Sequence, residues 1–214
     1  EGTLQIPVSE GCTVGGGLLE MGRRDWYPLA TDFDAPPNNG VVAALHRHAM
    51  QDTQFVIQIL FQPVVGRPVR SWWWTRRAYQ RIGYLRKEKE KLWGSRSATP
   101  REKQQANKIE AKAGSPRFNV SVRFLIVNGG EYTRSRVKEL TGAFNVYENP
   151  ETGQYLNAVT VETLRERSLL RFVEAVSRRD FNGWSRRFQA TTDELAGLLS
   201  IPDRDQSNLT YATP

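Results

Sequence analysis

Cysteine occurs once in these 214 residues, at Cys12, so no disulfide can close within the chain and no cysteine-rich zinc framework can be built. An intracellular, reducing setting is the expectation. Histidine is almost as scarce, with only His46 and His48, and a zinc site would have to be completed by carboxylates. No metal or other cofactor is expected in this chain. The longest apolar runs are interrupted by Gln58, Gln62 and Arg123, well short of the ~18 apolar residues that a membrane-spanning helix needs. The chain is not expected to cross a bilayer. Also missing is a glycine-rich loop ending in Lys and Ser or Thr, whose amides and lysine would cradle a nucleotide's phosphates. Gly15-Gly16-Gly17 leads into Leu18-Leu19 with no lysine behind it, so a flexible turn is expected there. Gly-x-Ser-x-Gly is absent too, and no catalytic residue is assigned.

Hydrophobic residues make up 39% of the chain, and 6 Trp, 7 Tyr and 9 Phe supply enough bulk for a packed core. The length suits one domain, or one and a half. Basic residues exceed acidic ones by 30 to 23, giving +7. Lysine contributes only seven of the thirty, so the charge is carried mainly by arginine, whose planar fork suits bidentate contact with phosphate or carboxylate. A polyanionic partner is therefore an expectation of the composition. The chain opens on Glu1 and closes on Pro214 after the polar run 203–208, which reads as a fragment of something longer.

Residues 1–37 mix short extended pieces with many glycines and prolines and are expected to form an entry segment. Residues 38–202 are expected to form a single domain, and 203–214 an exit linker. Asn38 or Asn39 can cap a short helix through Val41, Leu45 and His48. Period-two alternation of Phe55, Ile57, Ile59 and Phe61 against Val56, Gln58, Leu60 and Gln62 predicts a strand. A second strand is predicted over Arg117 to Val127, whose two faces both become apolar at Leu125 and Val127. Between them, 71–113 reads as a helical hairpin. Its first helix spans Ser71 to Trp93, with Ala78, Ile82, Leu85 and Leu92 on one side and Lys89 interrupting the stripe.

The second helix of that hairpin opens on Thr99-Pro100-Arg101-Glu102, a capping box with Pro at the first helical position, and stops at Gly114 and Pro116. Further helices are expected after Gly129-Gly130, after Thr160, and after Thr191-Thr192-Asp193-Glu194, with a turn at Asn149-Pro150-Glu151-Thr152-Gly153 and a strand near Ser185 to Ala190. Strands separated by helices imply a layered α+β fold with helices on one sheet face, ferredoxin-like in topology, carrying the hairpin as an insertion.

Arg70-Ser71-Trp72-Trp73-Trp74-Thr75-Arg76-Arg77, followed by Tyr79, Arg81, Tyr84 and Arg86, is the most unusual stretch. Trp with Arg suits a lipid headgroup interface, base stacking with phosphate pairing, or an aromatic-rich subunit contact. The bland alternative is that Trp73 and Trp74 cover the core beneath the hairpin. Arg70, Trp72, Trp73, Trp74, Arg76, Arg77, Arg81 and Arg86 are the predicted contacts for nucleic acid or membrane. His46-Arg47-His48 together with Tyr84-Leu85-Arg86-Lys87 partly resembles the metal-binding histidines and nucleophilic Tyr-x-x-Lys of rolling-circle and relaxase nucleases. Residues two apart on a helix point about 200° apart. A metal-dependent nickase is therefore the runner-up, and a free-standing nucleic-acid-binding protein the third reading.

Four elements in order resemble another family: the strand Gln54 to Pro63, Lys108-Ile109-Glu110-Ala111-Lys112, Val120-Ser121-Val122-Arg123, and Glu194-Leu195-Ala196-Gly197-Leu198-Leu199-Ser200-Ile201-Pro202. They are similar to the region preceding the motor in HerA-like ATPases of conjugative transfer, relatives of type IV secretion ATPases. That resemblance implies a non-catalytic amino-terminal accessory domain of a hexameric DNA-translocating machine. Its partners would be other secretion subunits, DNA and peripherally the membrane, and it would work in the cytoplasm at the inner face of the cell membrane. ATP and Mg would bind a motor beyond Pro214.

Overall fold

A computed structural model describes residues 4–6, 8, 11–47, 53–66, 69–87, 89–91, 94–161 and 166–202. The strands are β1 Val14–Met21, β2 Gln54–Pro63, β3 Lys89–Lys91, β4 Gly94–Arg96, β5 Arg117–Val127, β6 Leu156–Thr160 and β7 Phe188–Thr191. The helices are α1 Asn38–Arg47, α2 Val69–Arg86, α3 Pro100–Gly114, α4 Thr133–Ala143, α5 Glu166–Ser177 and α6 Thr192–Leu198.

β1, β2, β5 and β6 lie in the order β2-β5-β1-β6 with every neighbouring pair antiparallel. With α1 linking β1 to β2 and α4 linking β5 to β6, this is the ferredoxin-like arrangement, and the α2–α3 hairpin is inserted between its second and third strands. β7 extends the sheet by pairing with the first half of β5, beside the stretch of β5 that β1 occupies. The layered α+β fold and the inserted hairpin both follow the sequence pattern.

Alternation along β5 sends Val120, Val122, Phe124 and Ile126 to one face, where Val41 of α1, Val137 and Leu140 of α4, and Leu195 and Leu198 of α6 cover them. Leu125 and Val127 point the other way and pack with Leu18, Phe172, Val173 and Val176. Helices therefore cover both faces of the sheet, where one was expected, because the second face is apolar at its centre and α5 buries it. At the C-terminal end of α5 the same face turns polar. Arg123, on the strand face opposite to Val122 and Phe124, is fully buried and donates to the carbonyls of Ala175 (3.0 Å), Gly183 (2.7 Å) and Asp180. Gln58 donates to the carbonyl of Val176 at 2.9 Å. These two side chains add a second donor to helix-end carbonyls that also accept from the backbone N–H groups of Asp180 and Arg179, and a cation there meets the negative end of the helix dipole. Burial pulls the Arg123 guanidinium below its ordinary range, against the opposing pull of Asp180.

The segment read as an entry piece supplies an interior strand. Gly15, Gly16 and Gly17, expected as a turn, sit inside β1 against β5, with Gly17 also paired to β6. The hairpin also departs from expectation at its tip: α2 stops at Arg86, and the residues beyond it form the small β3–β4 ribbon. The apolar stripe ends at Leu85, and with only charged residues from Arg86 to Lys91 no face remains to hold a helix against α3. α3 begins where its capping box predicts, with Glu102 N donating to Thr99 Oγ1 (3.2 Å) and Thr99 N to Glu102 Oε2 (2.9 Å). Thr191 and Glu194 form the same reciprocal pair at the start of α6. Thr160 ends β6, and the expected helix start just after it falls on residues 162–165, outside the described residues.

Candidate anion-binding cleft

The hairpin packs on the body through its own core: Trp74, Ala78, Ile82 and Leu85 of α2 against Ala106 and Ile109 of α3, closed by Tyr27 from the β1–α1 loop. That packing brings three chain segments to one place: residues 22–27 after β1, one side of α2 from Arg70 to Arg81, and residues 185–188 where the chain enters β7. Between them lies a cleft of about 930 Å3 lined by Arg23, Arg24, Arg70, Arg81, Arg186 and Arg187, with Glu20 and Asp25 as its acidic members. A smaller recess of about 470 Å3 adjoins it, lined by Arg24, Asp25, Trp26, Arg70, Trp73, Trp74 and Arg77.

Asp25 holds the floor together. Its Oδ1 accepts from Trp74 Nε1 at 2.7 Å and its Oδ2 from the backbone N–H of Gln189 at 3.0 Å, tying the loop to α2 and β7. Arg117 braces the same junction, donating to Gln189 Oε1 (2.9 Å) and the Ala113 carbonyl (2.6 Å) and lying 4.3 Å from the Trp74 ring. Burial lowers the Arg117 guanidinium from its ordinary range, while Asp25 and then Tyr79 act to raise it. The loop backbone is shaped by Gln154, whose Nε2 donates to the carbonyls of Tyr27 (3.0 Å) and Arg24 (3.1 Å) and whose Oε1 accepts from Arg23 N (2.9 Å). Replacing Asp25 by alanine strands an indole donor and an amide, and we expect a loss of about 2 kcal/mol in urea unfolding, with a red shift in tryptophan emission. A stability within error of the wild type would show that Asp25 does not organise this junction.

The eight predicted contact residues separate by role. Arg70 and Arg77 are exposed on the cleft side of α2, and Trp73, 47% exposed, lines the recess between them. Trp72 is equally open; its ring meets that of Trp73 edge-on at 5.0 Å, and Arg76 lies 5.3 Å and 5.6 Å from the two rings. Arg81 lines the cleft with its Nε donating to Tyr27 Oη at 2.7 Å. Trp74 is buried in the hairpin core, as the bland reading had it for this residue, whereas Trp73 is not. Arg86 faces α3, paired with Glu110 at 2.6 Å and donating to Asn107 at 2.8 Å.

Sequence reasoning missed the two walls that α2 does not supply. Arg23 and Arg24 stand one residue from Trp26, and Arg186 and Arg187 follow Trp184 at the spacing by which Arg76 and Arg77 follow Trp74. The repeated Trp-x-Arg-Arg and its reverse, Arg-Arg-x-Trp, were the available signal. Among the described residues the guanidinium groups of Arg24, Arg70 and Arg77 have no hydrogen-bond or ion-pair partner, whereas Arg23 donates to the Thr152 carbonyl, Arg186 lies 3.8 Å from Glu20, and Arg187 donates to Asn182 at 3.2 Å. Three guanidiniums without a partner among the described residues, beside an open indole, can take a phosphate and stack a planar ring at once.

Of the nuclease pattern, His46 lies in α1 and His48 falls outside the described residues. Tyr84 is 55% exposed on α2, with the Arg81 guanidinium 4.9 Å from its ring. No group of three or more His, Cys, Asp or Glu among the described residues could hold a metal ion. No described helix is long and apolar enough to cross a membrane.

Fold and cleft together define a ferredoxin-like α+β domain that carries an inserted helical hairpin and an arginine–tryptophan cleft at the hairpin's base. Residues 1–214 match the model of one family, described as a domain of unknown function (DUF8128), and the chain belongs to that family. No curated protein matches the chain.

Proposed function

We propose that this domain is a non-catalytic binding module that grips the phosphate backbone of a nucleic acid in the cleft. One observation carries the reading: Arg24, Arg70 and Arg77, drawn from two separate segments, converge beside Trp73 with no acceptor of their own among the described residues. Arginines elsewhere in the hairpin and sheet, such as Arg86, Arg117 and Arg123, are spent on internal carbonyls and carboxylates. The exposed indoles of Trp72 and Trp73 suit bases that are free to unstack, which favours a single strand over a duplex. In the setting suggested by the similarity to conjugative ATPases, the module is an accessory domain that presents DNA, or a docking partner, to a hexameric motor carried elsewhere.

Fluorescence anisotropy with a labelled single-stranded oligonucleotide, repeated across a salt series, tests this. The wild-type domain is expected to bind with an affinity that falls steeply with salt. The triple variant Arg24→Ala, Arg70→Ala, Arg77→Ala is expected to lose tenfold or more, its slope of log affinity against log salt shallower by about two, roughly 0.7 for each phosphate contact removed. Absence of binding at low salt, or a triple variant that matches the wild type, defeats the proposal.

A further inference from the structure

β2 forms one border of the five-stranded sheet. β5 pairs with its inner side from Gln54 to Pro63, and no described residue pairs with its outer side. An open groove of about 560 Å3 follows the strand there, lined by Phe55, Val56, Ile57, Gln58, Ile59 and Leu60 with Leu4 and Arg179 beside them. Protein sheets ordinarily protect such borders with charges, internal prolines, bulges or short strands, because unpaired N–H and C=O groups recruit other chains. β2 has none of these protections. It carries no charged residue, its one proline is its last residue, and its register with β5 is continuous over ten residues. The opposite border, β6, is half as long.

The strand also reads nearly the same in both directions about Gln58: Gln54-Phe55-Val56-Ile57 before it and Ile59-Leu60-Phe61-Gln62 after it. A two-fold axis requires that residue i of one copy meet j of the other while j meets i. Laid antiparallel on itself about Gln58, β2 opposes Phe55 with Phe61, Ile57 with Ile59, Val56 with Leu60 and Gln54 with Gln62. Aromatic thus meets aromatic and branched aliphatic meets aliphatic, the cross-strand pairs that stabilise sheets. It would also cover Phe61, which is 48% exposed.

We propose that β2 is a homodimer interface, pairing antiparallel with β2 of a second copy of this chain in the register centred on Gln58 and joining the two sheets into one. Gln54 and Gln62 are both exposed, so their substitution leaves the core intact. Sedimentation velocity on the full chain is expected to show a dimer at micromolar concentration. The variant Gln54→Lys with Gln62→Lys sets lysine opposite lysine at both symmetry-related positions and is expected to weaken dimerisation about tenfold or more. The variant Gln54→Glu with Gln62→Lys sets opposite charges there and is expected to dimerise at least as tightly as the wild type. Circular dichroism confirms that each variant is folded. A monomeric wild type overturns the proposal, and one whose β2 amides also resist hydrogen exchange assigns the border to a segment of its own chain. A dimer indifferent to the paired lysines, or a charge-swapped variant as weak as the double lysine, overturns it as well.

Discussion

Gly16→Ala is expected to leave the domain unfolded. A Cβ at this position would lie 2.3 Å from the carbonyl oxygen of Phe124 and 3.0 Å from the Cα of Leu125. Both are backbone atoms of the central strand and cannot turn aside as a side-chain tip would. The backbone at Gly16 also has φ of +151°, where an L-residue is strained whatever the space. Relief would require β1 to move off β5, and β1 bridges β5 to β6, so the clash reaches three strands. The cost, about 4 kcal/mol or more, approaches the whole stability of a domain at the low end of the usual range of about 5–15 kcal/mol. Far-ultraviolet circular dichroism and urea titration of the purified variant measure it. Gly83→Ala is the matched control: that glycine lies in exposed helix α2 with open space around it, so alanine is expected to add about 0.5–1 kcal/mol. A folded Gly16→Ala protein of wild-type stability would show that the β1–β5 approach is looser than its geometry indicates.

Lys112→Met is expected to cost about 3 kcal/mol, lowering the melting temperature by roughly 6–12 °C. Lys112 Nζ lies 2.8 Å from Glu194 Oε2 and 2.9 Å from Oε1, with both side chains essentially out of solvent. This pair is the polar bolt between the inserted hairpin and α6. Glu194 also accepts from the backbone amides of Leu29 (2.7 Å) and Thr191 (2.8 Å), so removal of the lysine leaves a buried carboxylate held by two amides alone. Adding Glu194→Gln to Lys112→Met removes the stranded charge and is expected to recover part of the loss. Recovery stays incomplete because one amide oxygen replaces two carboxylate oxygens. Differential scanning calorimetry on the single and double variants reads both effects. A single variant within about 1 kcal/mol of the wild type would place the pair with exposed ion pairs and detach it from the docking of the hairpin.

The two substitutions act at different levels of the architecture. Gly16 decides whether the sheet can close at all, whereas Lys112 decides whether the hairpin stays on it. The cleft depends on both, since its walls are the loop after β1, the base of α2 and the approach to β7. A binding surface assembled from three segments is only as rigid as their junctions, and Asp25, Arg117 and the Lys112–Glu194 pair are those junctions here.

Local chemistry determined the pieces. The period-two alternation of β2 and β5 announces strands because neighbouring side chains of a strand face opposite ways. The capping boxes at Thr99 and Thr191 mark helix starts because a side-chain oxygen three residues from a glutamate satisfies amides the helix cannot. Such signals lie within a few residues of one another and are legible without the fold. Tertiary structure alone decided what those pieces meet. Arg123 alternates as if for solvent yet ends buried, because the end of α5 supplies the carbonyls that make burial tolerable. The glycines that suit a turn lie in a strand, where Gly16 and Gly17 sit so close to the carbonyls of Phe124 and Val159 that neither leaves room for a side chain. Trp74 faces the hairpin core while its neighbour Trp73 opens to the recess beside the cleft, since one helical step turns the side chain about 100° and only the position of α3 says which direction is inward. The arginine pairs at residues 23–24 and 186–187 stand more than 160 residues apart, and nothing short of the folded sheet could bring them to the same opening.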